Sequence, residues 1–196
     1  EALRTKGTTE LAKRMDIAGG GSIQISLFDK DTLVSTQNLR LGVLRLQELL
    51  NHLNAGSTQM ERLVDELATA QLDDYKKLYL KDREIKNIII VDDYLSPWAV
   101  RKAHERGEVN AVVDRKAFSQ LMEALRTKGT TELAKRMDIA EEKVPLVYIS
   151  AILTRRIAEL MGAELVWAPG VTLCDGIAYE YAEQNKMFRG EHDFAC

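Results

Sequence analysis

Three consecutive glycines and a serine, Gly19-Gly20-Gly21-Ser22, run directly into Ile23-Gln24-Ile25-Ser26-Leu27. The strict apolar–polar alternation of that stretch predicts a half-buried strand. Asp29-Lys30-Asp31 supplies a turn, and Thr32 to Thr36 reads as the returning strand of a hairpin. A glycine turn at the mouth of a strand has a specific chemical use. Without Cβ atoms the backbone approaches a ligand closely, and successive N–H groups converge on one phosphate oxygen. The Ser22 hydroxyl adds a further donor. The same four letters also compose a flexible linker, so the glycines alone leave both readings open.

Beyond Arg40 the periodicity changes. Leu46, Leu49, Leu50 and Leu53 share one helical face, Gly56 breaks the pattern, and Met60, Leu63, Val64 and Leu67 begin a longer helix. Ile88 to Val91 is a continuous β-branched run, the mark of a strand covered on both faces. Pro97 interrupts the chain, and Trp98 to Glu105 reads as a short helix. Phe118 to Leu125 is helical, Leu146 to Met161 is apolar enough to be a buried helix, and Leu165 to Trp167 is a last strand closed by Pro169-Gly170. Cys174 to Glu183 returns as a helix. The order β-β-α-α-β-α-α-α-β-α predicts an α/β fold: a mixed sheet flanked by helices, not an all-parallel one.

One feature argues against a simple evolutionary history. Glu1 to Ala18 and Glu123 to Ala140 are identical, letter for letter. Natural repeats diverge, so the copy points to engineered duplication, a cloning fusion or a misassigned trace. The second copy is expected to be in its native setting. It continues the apolar spacing of Phe118, Leu121 and Met122, and Thr130 and Thr131 stand ready to cap a short TELAKRM helix behind Gly129. On this reading residues 1–18 are the borrowed segment, 19–187 the domain proper, and 188–196 a truncated tail.

A net charge of -3 lacks the basic excess that nucleic-acid binding requires. The longest apolar runs are too short to span a bilayer. Cys174 and Cys196 form neither a metal spacing nor a disulfide framework. A reduced, cytoplasmic setting with no membrane partner is the expectation.

The flanks of the glycine turn carry a family resemblance. GGGSIQISLFDKDTLVSTQNLRLGVLRL resembles the hairpin that opens the second domain of the exopolyphosphatase / guanosine pentaphosphate phosphatase family, with Leu41, Gly42, Arg45 and Leu46 supplying its L-G-x-x-R-L pattern. GVTLCDGIAYEYA, from Gly170 to Ala182, is similar to the family's closing strand-to-helix turn, where a glycine such as Gly176 is usual. The resemblance implies a ribonuclease-H-like domain of the actin and sugar-kinase superfamily. It implies hydrolysis of a phosphoanhydride, releasing terminal phosphate from polyphosphate or a guanosine pentaphosphate-type nucleotide with Mg2+. Gly19, Gly20, Gly21 and Ser22 would form the phosphate cradle, and Asp16 would be the metal-linked carboxylate.

The match has departures. Asp16 stands one residue too far upstream of the glycines, which along a strand is about 3.3 Å and the opposite face. Gln24 occupies a position where relatives often carry a glutamate, and an amide cannot act as a base. After Val91 the family's second glycine-rich turn is replaced by Asp92-Asp93, which reads as solvated turn residues and, alternatively, as a cation site. His52, His104 and His192 are scattered. The family's first domain, which brings the catalytic glutamate, has no counterpart in the chain. A catalytically degenerate phosphate- or partner-binding member of the same fold is the competing reading. The face left without that first domain suggests a homodimer.

Overall fold

The computed structural model describes residues 13–18, 21–29, 32–54, 56–81, 83–185 and 187; of 13–18, 57 and 173 it describes the backbone alone. Six strands form one sheet: β1 (Lys13–Ala18), β2 (Ile23–Asp29), β3 (Thr32–Leu39), β4 (Asn87–Val91), β5 (Ala111–Asp114) and β6 (Leu165–Ala168). Their order across the sheet is β3-β2-β1-β4-β6-β5. β1, β4 and β6 run parallel to one another, while β2 is antiparallel to both β1 and β3, and β5 is antiparallel to β6. The helices are α1 (Val43–His52), α2 (Ser57–Tyr75), α3 (Leu95–Glu105), α4 (Arg115–Thr127), α5 (Thr130–Met137), α6 (Val144–Met161) and α7 (Leu173–Gln184). This is the mixed sheet flanked by helices that the sequence predicts.

Local chemistry sets these elements. Ile23, Ile25 and Leu27 of β2 are buried on one face while Gln24 is exposed, as alternation requires. Ile88, Ile89 and Ile90 of β4 are all buried, which is the signature of a central strand covered on both sides. The core lies on the face shared by Ile25, Ile88, Ile90, Val166 and Val113, and α6 passes through it. Pro145 stands in the first turn of α6, where its missing N–H costs nothing. Gly162 ends that helix in the left-handed conformation, with the Ala163 N–H donating to the Ala158 carbonyl at 2.8 Å. Between them Ile149 and Ile152 are fully buried, each contributing about 1.5–3 kcal/mol of hydrophobic burial. Across β4 and β6 the buried Asn87 Oδ1 accepts from Trp167 Nε1–H at 2.9 Å, pinning one parallel strand to the other.

The structure differs from the sequence reading in particular places. Lys13–Ala18, the end of the segment set apart as borrowed, forms β1 between β2 and β4. β5 is additional: at four residues it is too short to show a period. A π-helical turn, Lys76–Leu80, extends α2. Pro97 does not interrupt the chain but lies in the first turn of α3, where helices tolerate proline. Neither Thr130 nor Thr131 caps α5; Gly129 holds the cap position, without a side-chain hydrogen bond. Residues 1–12 and 188–196 lie outside the described residues.

Candidate functional site

Because β1, β4 and β6 are parallel, their carboxyl ends share one edge of the sheet. Three connections leave from that edge: residues 19–22 after β1, 92–94 after β4 and 169–172 after β6. Open α/β sheets bind ligands at this end. Ala18 pairs with both Gln24 and Val91, so β1 and β2 form a hairpin and β1 ends beside the end of β4. The glycine stretch therefore joins two paired strands of one sheet, not two separate bodies.

The expected site residues fall as follows. Gly19 and Gly20 lie outside the described residues. Gly21 and Ser22 are exposed, and open space surrounds the position where a Cβ would stand at Gly21. Asp16 pairs in register with Ser26 and Ile89, so no carboxylate stands beside it on either neighbouring strand. Gln24 is exposed, opposite Asn38 of β3. Gly176 lies in the first turn of α7 and is exposed.

A groove of about 380 Å³ opens between the other two connections, bordered by Asp92, Ser96, Val100, Arg101, Gly170 and Thr172. Gly170 has a φ of +71°, and a Cβ there would stand 3.0 Å from Val100 Cγ2. The glycine is thus required twice over, by conformation and by contact. Thr172 opens α7 with a reciprocal cap: the Asp175 N–H donates to the Thr172 hydroxyl, and the Thr172 N–H donates to Asp175 Oδ2 at 2.6 Å. These bonds hold the Asp175 carboxyl below its ordinary range. Arg101 is committed to the scaffold, its Nη2 donating to the Arg136 carbonyl at 2.8 Å.

Asp92 corrects the sequence reading. It is not a solvated turn residue. The Leu95 N–H donates to its Oδ2 at 2.9 Å, the Ser96 N–H to its Oδ1 at 2.7 Å, and the Ser150 hydroxyl of α6 to Oδ2 at 2.7 Å. Both oxygens are occupied, and the partners come from two helices. The sequence signal was an aspartate three residues before a helical run, obscured by Asp93 and Pro97. Asp93 itself is exposed. Tyr94 stands beside them, its phenol pushed up by burial and then by the charges of Asp93 and Asp92.

These donors do not assemble a protein-built magnesium site. Among the described residues no three His, Cys, Asp or Glu side chains converge. Two carboxylates border the groove: Asp92, whose oxygens accept three hydrogen bonds, and the exposed Asp93. Magnesium is commonly held by one or two carboxylates with substrate phosphates and water; here Asp92 is tied to α3 and α6 by its hydrogen bonds.

A second groove, of about 540 Å³, borders Glu61, Asp65 and Arg126. Its polar groups serve packing. Arg126 grips Glu61 through Nε and Nη2 at 2.6 and 2.7 Å, the Tyr148 hydroxyl donates to Glu61, and Arg155 lies 3.5 Å from Asp65. The seam joins α2, α4 and α6.

No protein-family model matches the sequence, and no curated protein matches it. Solved structures do match in fold. A Ppx/GppA phosphatase of Aquifex aeolicus, in its type II variant, superposes with a TM-score of 0.72 at 12% identity over 91% of this chain and 60% of its own. An exopolyphosphatase from Cytophaga hutchinsonii gives 0.63 at 16% identity over 88% and 57%. An exopolyphosphatase-like protein gives 0.68 at 14% over 89% and 59%. The chain thus shares the mixed α/β fold of these solved structures and spans about 60% of the length of the chains it matches. No described helix is long and apolar enough to cross a membrane.

Proposed function

We propose that this chain is the phosphate-loop part of a phosphoanhydride hydrolase acting on polyphosphate or a guanosine pentaphosphate-type nucleotide. The observation that supports this reading is the end of β1 at Ala18, paired with Gln24 of β2 and Val91 of β4 at the carboxyl edge of the parallel strands, the edge where open α/β sheets bind ligands. Backbone N–H groups of Gly19, Gly20 and Gly21, with the Ser22 hydroxyl, would receive the terminal phosphate oxygens. Such donors stabilise charge as a water oxygen bonds to phosphorus and the anhydride oxygen departs with the bond pair. The chain supplies binding and orientation; no residue in it is assigned the proton transfer. The group that orients water belongs, on this reading, to the first domain of the longer relatives.

The test is phosphate release from polyphosphate by the chain alone and by a protein carrying the first domain as well. Release is expected from the longer protein and not from the chain. Absence of release from the longer protein, across chain lengths and with magnesium supplied, would count against the reading.

One observation favours a second reading, a phosphate-binding or partner-binding member that has lost turnover. Gln24 is a neutral amide, which cannot act as a base, and Asp92 sets a carboxylate bonded to α3 and α6 at the turn after β4, where a polyanion would be repelled. Polyphosphate affinity without hydrolysis by the longer protein would select it.

A further inference from the structure

The two edges of the sheet are built differently. β5 is short, four residues ending on Asp114, and α3 packs against it. β3, at the other edge, is eight residues long, and Thr32, Leu33, Val34 and Asn38 are exposed. An edge strand presents a row of N–H and C=O groups ready to pair with another chain, and proteins ordinarily blunt such edges with charge, proline or brevity. Thr32-Leu33-Val34-Ser35-Thr36-Gln37-Asn38-Leu39 has none of these. Its bulge falls at Val34, which leaves Ser35 to Leu39 as a regular stretch. The edge is also held in place: directly beyond the strand, the Arg40 N–H donates to Gln71 Oε1 of α2 at 2.9 Å.

The charge pattern selects the occupant. Self-pairing sets each residue of a strand against another of the same strand, so a strand bearing charge of one sign repels its own copy. β3 bears no charge. The residues before it, Asp29-Lys30-Asp31, carry one net negative charge, and Arg40 after it carries one positive. Asp29 stands in register with Thr32, at the start of the strand. In an antiparallel pair each Arg40 comes to the Asp29 end of the other copy, so a two-fold arrangement brings unlike charges together twice.

We infer that β3 is a self-association edge: two copies of this chain pair antiparallel along it and join their sheets into one. The pairing is isologous, so it closes at a dimer, and its small area makes it reversible.

Sedimentation of the full chain over a range of concentrations tests this. Wild type is expected to pass reversibly from monomer to dimer. Val34→Lys/Asn38→Lys and Val34→Glu/Asn38→Glu, which place charges at exposed positions of the edge, should each weaken the dimer by about tenfold or more. Mixing the two variants should restore it, a recovery that a folding defect would not give. Hydrogen exchange on wild type supplies a second reading that needs no substitution. Amides of Ser35 to Leu39 that face away from β2 should exchange more slowly as concentration rises, while those of β5 do not change. A wild type that stays monomeric overturns the proposal, and so do charged variants that dimerise like wild type or a mixture of them that stays monomeric. So do β3 amides protected equally at every concentration, since another part of the chain would then cover the edge. A dimer lost in Ile177→Ser/Tyr181→Ser, on the exposed side of α7, and kept in the β3 variants overturns it too, because α7 would then be the interface.

Discussion

The Ser150 hydroxyl donates to Asp92 Oδ2 at 2.7 Å, tying α6, buried along most of its length, to the turn that follows β4. The hydrogen bond is charge-assisted, and Ser150 itself is buried. Ser150→Ala should therefore cost about 1.5–3 kcal/mol, the range for a hydrogen bond to a charged group. The folded fraction against urea measures it. A shift below about 0.5 kcal/mol would show that water replaces the hydroxyl.

Acid sensitivity should centre on Glu61. The bidentate Arg126 guanidinium holds its carboxyl below the ordinary value of 4.5, against the opposing effect of burial. A depressed folded value means the stabilisation is complete above the unfolded value and disappears as pH falls through the folded one. Asp65 works in the other direction: burial raises its carboxyl above 3.8, so protonation relieves a cost as pH falls. Glu61→Gln should accordingly lose about 1–3 kcal/mol at neutral pH, and stability below pH 4.5 should fall less steeply than in wild type. An unchanged acid limb, read from urea midpoints across pH, would remove Glu61 as its source.

The glycine hairpin, the β-branched run of β4 and the apolar spacing of α6 were legible because each imprints a period or a run on the sequence. β1 was not. Its six residues, Lys13–Ala18, repeat Lys135–Ala140 letter for letter, and in the second copy Lys135 to Met137 end α5 while Asp138 to Ala140 lead out of it. There Asp138 adopts the left-handed conformation and Met137 packs in the core. One hexapeptide thus serves as strand in one place and helix end in another, so the choice is made by its neighbours. Ile25 and Ile90 flank Ile17 in the first setting; the helical run from Thr130 precedes Lys135 in the second. The role of Asp92 was hidden for a related reason, since its third donor lies 58 residues away.

A consequence is that the shared hexapeptide carries no fixed preference of its own, and the free 18-residue peptide should show none. As a free peptide, Glu1 to Ala18 is shorter than a stable helix needs once Gly7 divides it. Circular dichroism in water should show mostly coil, with helix appearing only in trifluoroethanol. A peptide that is helical or β-structured in plain buffer would mean that one of the two settings forces it against its preference.

Gly170 offers the sharpest check on the groove. A left-handed φ costs an ordinary residue roughly 1–2 kcal/mol, and the added Cβ of Gly170→Ala would press on Val100 Cγ2 at 3.0 Å. Two separable penalties should therefore appear in one substitution. Val100→Ala removes the contact while leaving the backbone conformation, so in the double variant the contact share should be recovered and about 1–2 kcal/mol should persist. Urea midpoints for the two single variants and the double close the cycle. Strictly additive losses would mean that residue 170 and Val100 do not meet, and that the wall of the groove is set elsewhere.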